Sequence, residues 1–250
     1  TDSDRDTLTP GLGLRYGVTN RLEVDARGSY VIRDDRVTNT EISTGTNNIQ
    51  ELEGADIGDV EFGVHYQINQ GGGALPYLVG NLRVKTGTGP FDVARDANGI
   101  ETELATGSGF WAIEPSISFV HQTDPAVLFG NFGYLFNIAD DVDQVIGAAR
   151  IGEVDPGDSF NASFGIGIAL NEKTSISLGY SHSYVLGTST ELNGIISKSN
   201  SLQVGSFLFG LSYSITDNIG VNVNLAAGLT EDAPDARVSV RVPIAFKLLE

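Results

Sequence analysis

Hydrophobic and polar residues alternate with a period of two along most of this chain. From Ser159 to Leu170 the sequence SFNASFGIGIAL puts Phe160, Ala162, Phe164, Ile166, Ile168 and Leu170 on one face, and Ser159, Asn161, Ser163, Gly165, Gly167 and Ala169 on the other. Successive side chains of a strand point to opposite faces, so the pattern predicts a β-strand between two unlike environments. It returns after a short turn, with Ile176, Leu178 and Tyr180 against Ser175, Ser177, Gly179 and Ser181. A strand of a water-soluble sandwich would show larger polar side chains to solvent. Ser, Gly and Asn suit a narrow wet interior instead, and the continuous apolar face suits lipid.

The same reading predicts about eleven strands, at 8–18, 21–33, 57–68, 74–86, 110–122, 126–138, 159–170, 174–186, 202–215, 219–229 and 236–247. Short turns at 19–20, 69–73, 123–125, 171–173 and 216–218 alternate with long polar segments at 34–56, 87–109, 139–158 and 187–201, and a shorter one at 230–235. That asymmetry is the layout of an all-β, antiparallel up-and-down transmembrane β-barrel with periplasmic turns and long extracellular loops. Parity adds a further expectation. If the strand at 236–247 ends in the periplasm, the strand at 8–18 starts outside, whereas bacterial barrels have an even strand number. One strand is therefore expected before Thr1, giving a twelve-stranded parent with about eleven strands in this chain, unless a strand has been missed or merged. Residues 1–246 read as one barrel domain. The closing Lys-Leu-Leu-Glu at 247–250 is set apart as a tail compatible with a partly vector-derived remnant.

Composition agrees once its averages are understood. The mean hydropathy of −0.02 and net charge of −17 over 250 residues suggest a soluble protein, but the polar half of a barrel cancels its apolar half in any average. No apolar run reaches the roughly 18 to 20 residues of a membrane-spanning helix. With no cysteine, and with histidines only at His65, His121 and His182, the sequence offers no metal centre. The acidic balance excludes a phosphate-binding stripe for nucleic acid. Gly87-Thr88-Gly89 lacks the lysine and helix of a phosphate loop, and Ser181-His182-Ser183 is too weak a signal for catalysis, so no enzymatic role, catalytic residue or cofactor is assigned. TDSDRDTLTP is polar and does not read as a signal peptide, which a secreted protein would have lost.

Charges on the polar parity are the candidate functional residues, because a charge facing lipid near the midplane costs about 2 to 4 kcal/mol. They are Arg15, Glu23, Asp25, Arg27, Asp59, Glu61, Arg83, Lys85, Glu114, Arg237 and Arg241. A turn near Gly71 is expected to set Asp59 and Glu61 opposite Arg83 and Asn81, so that the charges neutralise one another across strands or form a selective transverse field. Ser159, Asn161, Ser163, Ser175, Ser177, Asn222 and Asn224 would line the neutral remainder. Apolar exceptions on this parity are few, chiefly Leu75, Tyr77, Val79, Phe129 and Leu135. Tyr16, Tyr30, Tyr66, Tyr134, Tyr180, Tyr184 and Tyr213 lie on the lipid parity, where tyrosine can leave its hydroxyl among headgroups, so lipid and lipopolysaccharide are expected partners. The acids of the long segments, such as Asp140, Asp141 and Asp143, read as solvated surface.

Four stretches carry a resemblance: LTPGLGLRYGVTNRLEVD at 8–25, GNLRVKTGTGPFDV at 80–93, GEVDPGDSFNASFGIGIALNEKTSISLGY at 152–180, and the closing EDAPDARVSVRVPIAF. They are similar to the barrel domains of functional-amyloid (Fap) secretion channels of Pseudomonas, within the wider outer-membrane family named for phenol meta-pathway degradation. The alternating final strand ending on Phe246 resembles the C-terminal assembly signal of bacterial outer-membrane barrels. The resemblance implies a twelve-stranded, homotrimeric pore in the outer membrane of a Gram-negative bacterium. Such a pore exports unfolded amyloid subunits for biofilm fibres. The alternatives are a passive channel for small aromatic or hydrophobic molecules and a closed structural barrel.

Overall fold

The computed structural model describes residues 2–41, 46–71, 75–95, 101–146 and 149–246. The strands of the N-terminal half are β1 (Asp2–Leu8), β2 (Gly11–Gly17), β3 (Leu22–Glu41), β4 (Thr46–Ile57), β5 (Glu61–Gln67), β6 (Tyr77–Lys85), β7 (Ala112–Gln122) and β8 (Ala126–Asn137). Then follow β9 (Asp140–Ile146), β10 (Ala149–Asp155), β11 (Ser159–Ala169), β12 (Thr174–Val185), β13 (Ser189–Leu192), β14 (Ile195–Lys198), β15 (Leu202–Thr216), β16 (Ile219–Gly228) and β17 (Ala236–Arg241). Thirteen of these form one antiparallel sheet in the order β1-β3-β5-β6-β7-β8-β11-β12-β15-β16-β17, with β2 and β4 also paired to β3. Because β1 and β2 share one edge of β3 end to end, and β4 and β5 share the other, the sheet has eleven rows. Among the described residues no helix is long and apolar enough to cross a membrane, which says nothing of a β-barrel.

Short polar side chains fix the tight turns by bonding their own backbone. The Thr19 hydroxyl accepts from the amides of Arg21 and Leu22 at 3.2 and 3.0 Å. Asn171 accepts from Lys173 and Thr174, both at 2.9 Å, and the Thr216 hydroxyl accepts from Asn218 and Ile219. With the turns fixed, register follows, and register decides which face each side chain takes. In β11 against β12, Ser163 lies opposite Ser181 and Phe164 opposite Tyr180.

Burial is inverted relative to a soluble protein. Phe164, Phe132 and Leu12 are 60%, 57% and 75% exposed, while Ser159 and Asp25 are buried at 4% and 9%. Most large apolar residues of the wall strands are exposed on the outward face, and among the described residues no large side chain is fully enclosed. A sheet whose greasy face is uncovered and whose polar face is sheltered is stable in lipid, not in water.

Three expectations are corrected. The long segments are not all loops: β1, and β3 with β4, continue the wall as a tall hairpin, and β9, β10, β13 and β14 form a separate four-stranded sheet in the order β14-β13-β10-β9. In that second sheet Arg150 meets Asp143 at 2.7 Å, and the hydrogen bond to Asp143 raises the guanidinium pKa above its ordinary value. The final strand ends at Arg241 because Pro243 cannot donate to the ladder, though Ala245 still donates to Asn218 at 2.8 Å. The predicted register of the β5–β6 hairpin also moves: Glu61 lies opposite Lys85, Gly63 opposite Arg83, and His65 opposite Asn81. Residues 247–250 lie outside the described part.

Candidate functional site: the polar face of the sheet

The polar face has two unlike halves. On β2 to β7 the charges share one parity, and opposite charges meet diagonally between paired strands or, for Asp25 and Arg27, two residues apart along β3. Arg15 meets Glu23 at 3.2 Å, Arg27 meets Asp25 at 2.8 Å and Lys85 meets Asp59 at 3.0 Å. Arg83 is the centre of a triad, donating to Glu61 through Nη1 at 2.8 Å and to Glu114 through Nε at 2.8 Å. One cation therefore holds carboxylates from the strands on both sides of its own. Such fork geometry favours arginine over lysine.

His65 was not singled out by sequence, yet it joins these pairs. Its Nε2 lies 2.5 Å from Asp25 Oδ2 and its Nδ1 lies 2.8 Å from Asn81 Oδ1. Asn81 then donates to the hydroxyls of Ser116 and Ser118, and Asn131 donates to the same two from the other side. A continuous polar network thus runs from β3 to β8. Its sequence signal was the shared parity of His65 with Glu61 and of Asn81 with Arg83, which alone could not supply partners.

Missing side chains let charged groups span a strand. A Cβ on Gly63 would stand 2.1 Å from Asp25 Oδ2 and 3.0 Å from His65 Nε2, so only glycine leaves room for that pair. A Cβ on Gly133 would lie 3.2 Å from Glu114 Oε1, which there accepts from Asn161 Nδ2 at 3.0 Å. That bond ties the charged half to the neutral half across β8.

The neutral half holds the predicted small residues on one face: Ser159, Asn161 and Ser163 on β11, Ser175 and Ser177 on β12, and Asn222 and Asn224 on β16, joined there by Ser206 and Ser212 of β15. Phe129 and Leu135 also take this face, opposite Gly165 and Ser159. Arg237 and Arg241 share it on β17, opposite Ala226 and Asn222, and make no ion pair among the described residues. A recess of about 260 Å³ is lined by Phe129, Ser177, Leu208, Asn224, Arg237 and Ser239, among others. Among the described residues no group of three or more His, Cys, Asp or Glu could hold a metal ion. Among the described residues the acids of the charged half are engaged in ion pairs, and His65 lies between Asp25 and Asn81.

The first and last wall strands differ from the rest. β2 and β17 are exposed at every position, on both faces. Among the described residues each has a ladder on one edge only, and strand alternation makes the two run in the same direction.

This inverted, antiparallel sheet with a polar inner surface matches known proteins. Residues 34–242 fit the model of a family described as a MetA pathway of phenol degradation. The chain belongs to this family. The crystal structure of an outer-membrane channel from Pseudomonas putida F1 superposes with a TM-score of 0.67 at 16% identity, covering 96% of this chain and 82% of that one. At that identity the likeness establishes the fold: an antiparallel sheet of the outer-membrane channel barrel type.

Proposed function

We propose that this sheet is the wall of a non-enzymatic outer-membrane channel, and that its traffic is unfolded, polar polypeptide: amyloid subunits exported for biofilm fibres. The polar face carries the reading. On β2 to β7 its charges are drawn into ion pairs, Arg237 and Arg241 of β17 stand apart from these, and the rest is mainly Ser, Asn and Gly, which offer an extended chain hydrogen bonds without a broad apolar surface to hold it. In this reading the long segments lie outside the cell, the apolar face meets lipid and lipopolysaccharide, Phe246 is the assembly signal, and the channel is a homotrimer. One further antiparallel strand closes the wall. β2 and β17 run the same way, so direct pairing would be parallel, and a single strand between them satisfies both edges and makes twelve.

Deletion of the gene is expected to abolish extracellular amyloid while the subunit still accumulates inside the cell, measured by fibre staining and subunit immunoblotting. Normal fibres in the deletion strain would contradict the export reading. A passive channel for small aromatic or hydrophobic molecules is the second reading, favoured by the recess at Phe129 and Leu208. It predicts that phenol reduces ion current through the reconstituted protein.

A further inference from the structure

The connection from β6 to β7 does not simply stand above the wall. Asp59 continues the parity of Glu61, so its carboxylate points to the polar face, and there it is covered by backbone from this connection. Asp59 Oδ1 accepts from the Gly89 amide at 3.0 Å, and Oδ2 accepts from the Ser108 amide at 3.0 Å, the Ser108 hydroxyl at 2.6 Å and Lys85 Nζ at 3.0 Å. Lys85 also donates to the Phe110 carbonyl at 3.1 Å and to the Ser108 hydroxyl. The pair is well sheltered, with side chains 11% and 19% exposed. Both limbs of the connection are therefore fastened at one point by one carboxylate.

Farther out the same segment stays on the polar side. Arg33 has the parity of Arg27, and its Nη1 donates to the Ala105 carbonyl at 2.8 Å. Gly54 lies opposite Arg33, and a Cβ there would strike Leu104, so Leu104 covers that face of β4. The limbs bind each other where Thr106 and Gly107 both donate to the Pro90 carbonyl at 3.0 Å. Gly109, at φ +75°, packs against the Phe91 ring, whose centroid is 6.4 Å from that of Phe110. These contacts tie the two limbs to each other, so they stand as a built element.

We infer that residues 86–95 and 101–111 form the constriction of the channel, and that Asp59 is the positioning residue that holds them across its mouth. The inference rests on the wall being a conduit and not on what passes through it. Narrowing comes from the charged half, so a solute crosses the mouth between this strap and the neutral wall. Pore diameter at the narrowest point sets both conductance and the size limit for neutral solutes.

The test uses the reconstituted protein in planar bilayers, with conductance and the size limit for neutral polyethylene glycols as readouts. Asp59→Ala is expected to raise single-channel conductance about two-fold or more and to admit larger polymers. A D59C/S108C variant, in a chain with no other cysteine, should match Asp59→Ala before treatment and return to the wild-type values once a short thiol cross-linker joins the two positions. Restoration without the carboxylate shows that strap position, and not the lost charge, sets the current. Unchanged conductance in Asp59→Ala overturns the inference. So does a cross-linked variant that stays at the Asp59→Ala values, because the carboxylate then acts by its charge alone. A wild-type protein that passes no current overturns the conduit itself, and this inference with it.

Discussion

Replacing Arg83 with methionine is expected to turn a weakly selective channel into a cation-selective one. In the native wall Arg83 donates to Glu61 and Glu114 from the strands on either side, and its removal leaves both carboxylates without their cation on a sheltered face. Lys85 cannot replace it, being engaged by Asp59 at 3.0 Å. Two uncompensated carboxylates facing a confined aqueous path attract cations, and the reversal potential in a salt gradient should move toward the cation limit by several-fold in permeability ratio. Stability should fall as well. Breaking a buried pair costs about 3 to 5 kcal/mol, and water access on this face reduces that to about 1 to 2 kcal/mol. The triple variant R83M/E61Q/E114Q removes the charge altogether and is expected to restore weak selectivity. If R83M alone leaves the reversal potential unchanged, the triad does not face the permeation path.

The second large effect concerns the other face. Leu225 and Asn224 are neighbours on β16 with opposite parity: Leu225 lies opposite Phe209 on the apolar side, and Asn224 opposite Gly210 on the polar side. Leu225→Arg should destabilise the assembled protein by about 2 to 4 kcal/mol, since the guanidinium would face hydrocarbon. Asn224→Arg should cost less than about 1 kcal/mol, because the small residues around the recess leave room and water for it. Denaturant unfolding in lipid vesicles, with assembled fraction in the outer membrane as a second readout, separates the two. Equal losses at adjacent positions would mean that both faces see the same surroundings.

The wall strands were legible because hydrocarbon on one side and a wet interior on the other impose strict alternation, as at Ser159 to Ala169. Where the chain leaves the membrane both faces are wet, and the signal vanishes. β1 reads DSDRDTL, polar on both parities up to its last residue, and β9 reads DDVDQVI, with acids on both parities, so they pass for loops although they pair with their neighbours. β4 was hidden the same way, and its ladder with β3 from Tyr30 to Glu41 is a property of the hairpin and not of any local apolar pattern. The register error at Arg83 has a simpler source, since a turn of uncertain length displaces every opposite pair.

Parity placed the candidate charges on one face but could not name their partners. Asp25 and His65 are 40 residues apart and meet only because β3 pairs with β5 and Gly63 leaves space between them. Arg83 and Glu114 are 31 apart, and Asp59 and Ser108 are 49 apart. The strap over Asp59 was invisible for that reason: GTGPFDV at 87–93 looks like flexible linker, and its order comes from a carboxylate contributed by another part of the chain. Glycine in such a stretch permits close approach as readily as it permits freedom.

The central claim is that alternate residues of each wall strand face lipid and a water-filled interior. It is tested most directly by placing single cysteines at each position from 219 to 228 in this cysteine-free chain. Each variant is then labelled in vesicles with a water-soluble thiol reagent and, separately, with an environment-sensitive fluorophore challenged by lipid-borne quencher. Water-side labelling should peak at Gly220, Asn222, Asn224, Ala226 and Gly228, and lipid quenching should peak at Val221, Val223, Leu225 and Ala227, in strict alternation. Uniform water accessibility at both sets would contradict the account, because the sheet would then not be a membrane wall.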